Sequence, residues 1–245
     1  MGLVQGLTEF LPVSSSSHLA LFQALFGWED LEANLAFNVA VHLGSLAAVL
    51  IFVRRELVAM FTTERRLMWV LAVATSPVVV VGLSFKDSVA GISANLAAVG
   101  GFLICTAGML ALSTRLPDGV RRAAQLPFPR ALLIGIAQAA AILPGISRSG
   151  STLVAGMATG LEREQAVRFS FLLAVPAIAG AGLFTFLDAR EVAPGAVDEM
   201  LVGGATSFIA SVVGMRMLVA VVMRKKLGWF AVYCAIAGTI AISVS

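Results

Sequence analysis

Charge is scarce in this chain. Asp, Glu, Lys and Arg make up 13% of 245 residues and hydrophobic residues 59%, a balance that excludes a soluble domain of this length. Cysteine is nearly missing too. Its two copies, Cys105 and Cys234, both fall in apolar runs, which argues against a structural disulfide and leaves the redox compartment unmarked. Histidine occurs only as His18 and His42, both in the first half. A cleavable leader is not required, because the apolar runs themselves direct insertion.

What remains is gathered into long apolar blocks. Measured against roughly 20 apolar residues per bilayer crossing, six blocks qualify: 36–53, 67–84, 95–113, 169–187, 201–222 and 228–244. The formal charge of +3 does not point to nucleic acid, because the basic residues sit at block ends: Arg54 and Arg55, Arg65 and Arg66, Arg121 and Arg122, Arg224 with Lys225 and Lys226. They read as topology signals. On that rule the loops 54–66, 114–130, 161–168 and 223–227 are cytoplasmic, while Lys86-Asp87, the 188–199 loop and the C-terminus lie outside.

An internal repeat organises the blocks. Leu11-Pro12 and Leu143-Pro144 are 132 residues apart, and the same offset carries Phe37 onto Phe169; Gly2-Leu3-Val4-Gln5 resembles Gly135-Ile136-Ala137-Gln138 with a slip of one. Proline removes a backbone donor and disfavours helix at the residue before it, so Pro12 and Pro144 each predict a break between two short helices. The expectation is an all-α polytopic membrane protein forming one domain, 1–245. Repeat 1 spans 1–113, a cytoplasmic linker 114–130, and repeat 2 131–245. Each repeat holds a re-entrant helix pair and three transmembrane helices, and that odd number inverts one repeat relative to the other. Broken backbone at membrane depth needs protein or a polar cavity around it, so the two breaks are expected to meet.

Five acidic, basic or imidazole side chains fall within the membrane segments: Glu9, His18, His42, Arg148 and Arg216. A charge at the bilayer centre costs about 2.5–3.5 kcal/mol on insertion scales, so each needs a reason. In the first break Glu9 precedes Pro12, and Ser14-Ser15-Ser16-Ser17-His18 follows it. Ser15 and His18 (i, i+3) or Ser14 and His18 (i, i+4) share a helix face, which would pair a nucleophile, Ser15 the candidate, with a general base or acid; direct attack by a water activated by His18 or Glu9 is the other open route. Alternatively, the serines cap a half-helix and His18 satisfies their hydroxyls. In the second break, Pro144-Gly145-Ile146-Ser147-Arg148-Ser149-Gly150-Ser151 sets an arginine among hydroxyls, suited to phosphate oxygens. Two half-helix N-termini facing one cavity would add backbone donors for an anion. The alternative is a structural ion pair of Arg148 with Glu9, compatible with the phosphate reading if substrate replaces part of that pair. His42 reads as a packed or interfacial histidine, and Arg216 either snorkels to the head groups or meets substrate.

The run Glu9 to His18, the run Leu143 to Gly150 and the stretch Phe169 to Pro176 together resemble the signature segments of the undecaprenyl-diphosphatase family of the bacitracin-resistance type. The resemblance implies a membrane hydrolase that removes the terminal phosphate of undecaprenyl diphosphate, recycling a lipid carrier for cell-wall polymers. It also implies a divalent cation, Mg²⁺ or Ca²⁺, and a site opening to the outer face of the cytoplasmic membrane. Position by position it places the family's catalytic residues on Glu9, Ser15, His18 and Arg148. Ser14, Ser16, Ser147, Ser149, Gly145 and Gly150 are then candidates for contact with the substrate. Glu9 is the candidate metal ligand. Some family members carry a glutamate where this chain has Gln5, whose amide oxygen is a further candidate ligand. Family chains also generally carry residues ahead of this motif, so a shortened first helix is expected. The expected partner is a membrane lipid, with assembly into a homo-oligomer left open. Two rivals stand: a polyprenyl-phosphate transporter or flippase, and a lipid phosphatase of the type that needs a second histidine motif, which is missing here.

Overall fold

In a computed structural model, residues 1–26, 35–84, 95–188 and 196–245 are described. Among them the chain is helical throughout. The first half contains α1 (Gly2–Phe10), α2 (Ser15–Phe26), α3 (Leu35–Phe52), α4 (Arg54–Phe61), α5 (Arg65–Ser84) and α6 (Leu96–Ser113). A linker with a short 3-10 turn at Ala123–Gln125 leads to α7 (Phe128–Ala140), α8 (Arg148–Ala158), α9 (Arg163–Asp188), α10 (Ala196–Met223) and α11 (Gly228–Ser243). Large apolar side chains such as Trp69, Val80, Leu201 and Ile209 stand exposed on the outer faces, as they do where lipid is the solvent.

Four helices, Arg65–Ser84, Leu96–Ser113, Arg163–Leu183 and Val197–Met223, are long and apolar enough to cross a bilayer, which makes this a multi-pass membrane protein. Two of the six expected crossings differ. The block at 36–53 does not stand as a span by itself: Phe37–Phe52 runs into Arg54–Phe61 across a 65° bend, and the two count as a fifth crossing only as a bent pair. The charges of Arg54, Arg55 and Glu56 begin at that bend, where helix direction changes to keep them near water. The last block folds as 16 residues, about 24 Å at 1.5 Å per residue, short of a ~30 Å hydrocarbon core. The expected outer loops at Lys86-Asp87 and most of 188–199 lie outside the described residues. None of α1, α2, α7 and α8 reaches the roughly 20 residues of a crossing, and each pair is separated by the break that its proline predicts. Pro77 and Pro176, by contrast, sit inside α5 and α9.

The two halves exchange partners. α1 packs on α10 and α7 packs on α5; α3 meets α9, and α6 meets α11. Close approach of α1 and α10 depends on small residues, since a Cβ at Gly6 would strike the Ser207 carbonyl. The four basic loops gather at one end of the bundle. There Arg122 pairs with Glu64 at 2.7 Å, Arg168 with Glu56 at 2.5 Å, and Asp118 with both Arg163 and Lys225 at 2.5 Å. Hydrogen bonds from Lys225 and Arg163 hold the Asp118 carboxyl below the usual carboxylate range. The linker is thereby fastened to both halves.

Candidate active site

The first break starts from helix geometry. Gln5 and Glu9 are one turn apart on α1, and the Gln5 amide donates to Glu9 Oε2 at 2.9 Å. Beyond Pro12 the chain turns sharply, and Ser14 takes φ 65°, a left-handed conformation costing a non-glycine residue of order 1–3 kcal/mol. That twist aims the Ser14 carbonyl down the new helix, where it accepts from the His18 backbone N–H at 3.3 Å and lies 2.8 Å from His18 Nδ1. Ser15 is then free to face back, and its hydroxyl donates to Glu9 Oε2 at 2.8 Å.

The second break is held from α6. Gly145 has φ +111°, and a Cβ there would lie 2.5 Å from Phe102 Cβ and the Val99 carbonyl. Thr106 Oγ1 donates to the Gly145 carbonyl at 2.9 Å and accepts the Ser147 N–H at 3.1 Å, fixing the turn that presents Arg148. Ser147 caps α8 by accepting the Gly150 N–H at 3.1 Å. We expect Gly145→Ala to lower stability by about 1–3 kcal/mol through the strained φ alone. Because the displaced turn carries Arg148, activity should fall as well. Thermal unfolding in detergent checks the first effect, and an unchanged melting temperature would contradict this account of the turn.

The breaks meet. Arg148 Nη2 donates to Glu9 Oε1 at 2.7 Å, and the Ser149 hydroxyl donates to the Leu11 carbonyl at 2.9 Å, so charge and backbone both cross between halves. Both charged side chains are largely buried, at 18% and 10% exposure. Between them lies a pocket of about 80 Å³ lined by Thr8, Glu9, Ser14, Ser15, Ser16, Ala141, Ile146, Ser147 and Arg148. The first residues of α2 and α8 both edge it. Two buried polar atoms at the site have no partner in the protein, Gln5 Oε1 and Arg148 Nη1. Thr8 also lines a larger apolar groove of about 610 Å³. Its walls include Leu7, Leu11, Val13, Ala220, Phe230 and Tyr233, with Arg224 and Lys226 among its remaining lining residues.

The family profile described as "Bacitracin resistance protein BacA" matches residues 1–240. The chain belongs to that family. BacA-family relatives match it end to end. A protein of Syntrophotalea carbinolica named undecaprenyl-diphosphatase is 40% identical over 255 residues, covering 100% of this chain and 97% of its own length. One of the same name from Desulforudis audaxviator is 40% identical over 254 residues, covering 100% and 95%. A third, from Methanosphaera stadtmanae, is 36% identical over 268 residues, covering 100% and 96%.

Within this BacA-family site the expected residues divide. Glu9, Ser14, Ser15, Ser16, Ser147 and Arg148 line one pocket. Ser149, Gly145 and Gly150 do not line it but join or shape the breaks, and neither Gln5 nor the expected catalytic His18 lines it, each lying behind it, on Glu9 and on the Ser14 carbonyl respectively. The serine and imidazole do not form the pair expected from their i, i+3 spacing. Ser15 is bonded to Glu9, while His18 has Nδ1 on the Ser14 carbonyl and Nε2 at 2.6 Å from the Tyr233 hydroxyl. The left-handed Ser14 is the cause, since it rotates the helix start. Arg216 is exposed on α10 and lines neither the pocket nor the groove. His42, expected as a packed residue, reaches the site: its Nε2 lies 3.2 Å from the Gln5 amide nitrogen. Thr106 and Tyr233 had no sequence signal beyond being polar groups in apolar helices.

Proposed function

We propose that the chain hydrolyses undecaprenyl diphosphate to undecaprenyl phosphate and inorganic phosphate in the cytoplasmic membrane, recycling the carrier for cell-wall polymers and conferring bacitracin resistance. The observation that carries the reading is Arg148. One guanidinium nitrogen is bonded to Glu9, while Nη1 is buried without a partner beside a small pocket edged by two helix N-termini. Such donors suit a terminal phosphate. The relatives' name supplies the lipid, and the apolar groove, which shares Thr8 with the pocket as a lining residue, suits the prenyl chain.

Ser15 Oγ attacks the terminal phosphorus, its proton passing to Glu9 Oε2, and the anhydride bond breaks to release undecaprenyl phosphate. Water then attacks the phosphoserine; its proton goes to His18 Nε2 and from there to solvent as inorganic phosphate departs, and Glu9 returns a proton to the departing Ser15 oxygen. Inorganic phosphate is the second product. Arg148 and the half-helix N–H groups hold the phosphoryl oxygens in both steps.

A divalent cation, Mg²⁺ or Ca²⁺, belongs to this reading. No group of three or more His, Cys, Asp or Glu that could hold an ion occurs among the described residues. Mg²⁺, however, is commonly held by one or two carboxylates with substrate phosphates supplying the rest. Glu9 and the unpartnered Gln5 Oε1 would hold it, and it would neutralise diphosphate charge.

The chain divides in this proposal into repeats 1–113 and 131–245 about a cytoplasmic linker, 114–130, inverted relative to one another. The exchanged packing of α1 on α10 and α7 on α5 supports it, and the clustering of the four basic loops supports a cytoplasmic face at that end; a pocket opening to the outer face belongs to the proposal through the family resemblance. The test is phosphate release from undecaprenyl diphosphate by purified protein in detergent. Turnover is expected, falling by roughly tenfold or more with chelator and returning with Mg²⁺ or Ca²⁺. A polyprenyl-phosphate flippase would release no phosphate there.

A further inference from the structure

His18 is not available to substrate as the site stands. A carbonyl only accepts, so the contact with Ser14 places the imidazole proton on Nδ1 and leaves Nε2 as the acceptor. That acceptor is occupied by the hydroxyl of Tyr233, at 2.6 Å, with the two rings nearly parallel at 8° and 5.5 Å between centroids. Tyr233 is the only tyrosine in the chain, and it comes from α11, 215 residues away. It also forms a wall of the apolar groove that begins at the first break, with Leu11 and Val13 of that break beside it. One side chain therefore touches both the imidazole and the place where a lipid chain would lie.

We propose that Tyr233 is a specificity-determining residue that makes His18 available only when a prenyl chain occupies the groove. The proposal rests on the phosphatase reading above. With the groove unfilled, the Tyr233 hydroxyl occupies Nε2. A prenyl chain running past Leu11 and Val13 presses on the phenol ring, the hydroxyl leaves Nε2, and the imidazole accepts the proton of the hydrolytic water. A diphosphate without a chain reaches the pocket but leaves the hydroxyl in place. The groove's volume of about 610 Å³ lies within the range of ligand pockets, and its lining is apolar apart from Thr8, the basic pair Arg224 and Lys226, and the polar tips of Tyr233 and Trp229. An anionic head group has its donors at the breaks, so the groove is left to the chain.

The experiment compares phosphate release from undecaprenyl diphosphate and from methyl diphosphate, which has no chain to enter the groove, in the wild type, Tyr233→Phe and Ala220→Phe, each with its melting temperature. Tyr233→Phe keeps the ring and removes the hydroxyl. Its kcat on methyl diphosphate should rise about five- to tenfold, the worth of one released hydrogen bond, with undecaprenyl diphosphate turnover changed less than about threefold. Ala220→Phe narrows the groove and should raise KM for the long substrate while leaving the short one unchanged. A parallel fall on both substrates in Tyr233→Phe, or an unchanged ratio, would overturn the proposal and leave Tyr233 as a packing residue. An Ala220→Phe protein with normal long-chain kinetics would overturn it as well, leaving the groove to ordinary acyl chains. If the wild type released phosphate from neither substrate, the phosphatase reading itself would fail, a result distinct from these.

Discussion

Arg148→Ala is expected to reduce phosphate release from undecaprenyl diphosphate by about 10²–10³-fold, the loss that follows removal of one preorganised charged donor worth ~3–4 kcal/mol in the transition state. The guanidinium has two tasks at once. Nη2 is committed to Glu9 at 2.7 Å, and Nη1 is buried and unpartnered at the pocket. Alanine abandons both, and it also leaves the Glu9 carboxylate without its cation. Breaking a buried pair costs about 3–5 kcal/mol, so a fall in melting temperature should accompany the kinetic loss. Arg148→Lys separates the two effects. Lysine keeps the charge beside Glu9 but is a point donor without the planar fork, so stability should largely return while turnover stays depressed. Near-normal kcat/KM in Arg148→Ala would remove the arginine from the chemistry and leave it a structural counter-ion.

Glu9→Gln should lower turnover by a comparable factor, about 10²-fold or more, and should also lower the melting temperature, because the buried Arg148 guanidinium loses its counter-ion and keeps only a neutral acceptor. The amide oxygen can still accept from Ser15 or from Arg148, whose contacts with Glu9 are 2.8 and 2.7 Å. It cannot accept the proton that Ser15 must lose. The informative measurement is the double variant. Glu9 and Arg148 act on the same phosphoryl group and on each other, so the loss in Glu9→Gln/Arg148→Ala should fall well short of the product of the single losses. Independent, multiplicative losses would show that the two do not work as one unit. Glu9→Gln turnover within a fewfold of wild type would exclude the carboxylate as proton acceptor.

Which parts of the site were readable in the sequence follows from how far each depends on local rules. Pro12 and Pro144 act through their own backbone, and both breaks fall where they predict. Glu9 and Arg148 stood out because an isolated charge in an apolar run needs a partner, and each turned out to be the other's. The partner of Ser15 was not readable. Helical spacing placed it beside His18, but one left-handed residue, Ser14, turns the hydroxyl toward Glu9 instead. Tyr233 and Thr106 were hidden for a different reason: each acts on a residue 215 or 39 positions away, and nothing local distinguishes it from a polar group packed between helices. The bend after Phe52 was signalled by Arg54 and Arg55, which were read for topology rather than for helix direction.

The separation of 139 positions between Glu9 and Arg148 sets a schedule for biosynthesis. At about 5–20 residues per second, the ribosome needs roughly 7–30 s after making the carboxylate before it makes the arginine. A nascent chain cannot leave a bare carboxylate in lipid for that time without cost. The groups bonded to it in the finished protein apart from Arg148 are Gln5 and Ser15, with His42 behind Gln5, and all are translated within the first 42 residues. The early chain thus carries its own hydrogen-bond shell for Glu9, and the arginine closes a site whose other contacts were available long before.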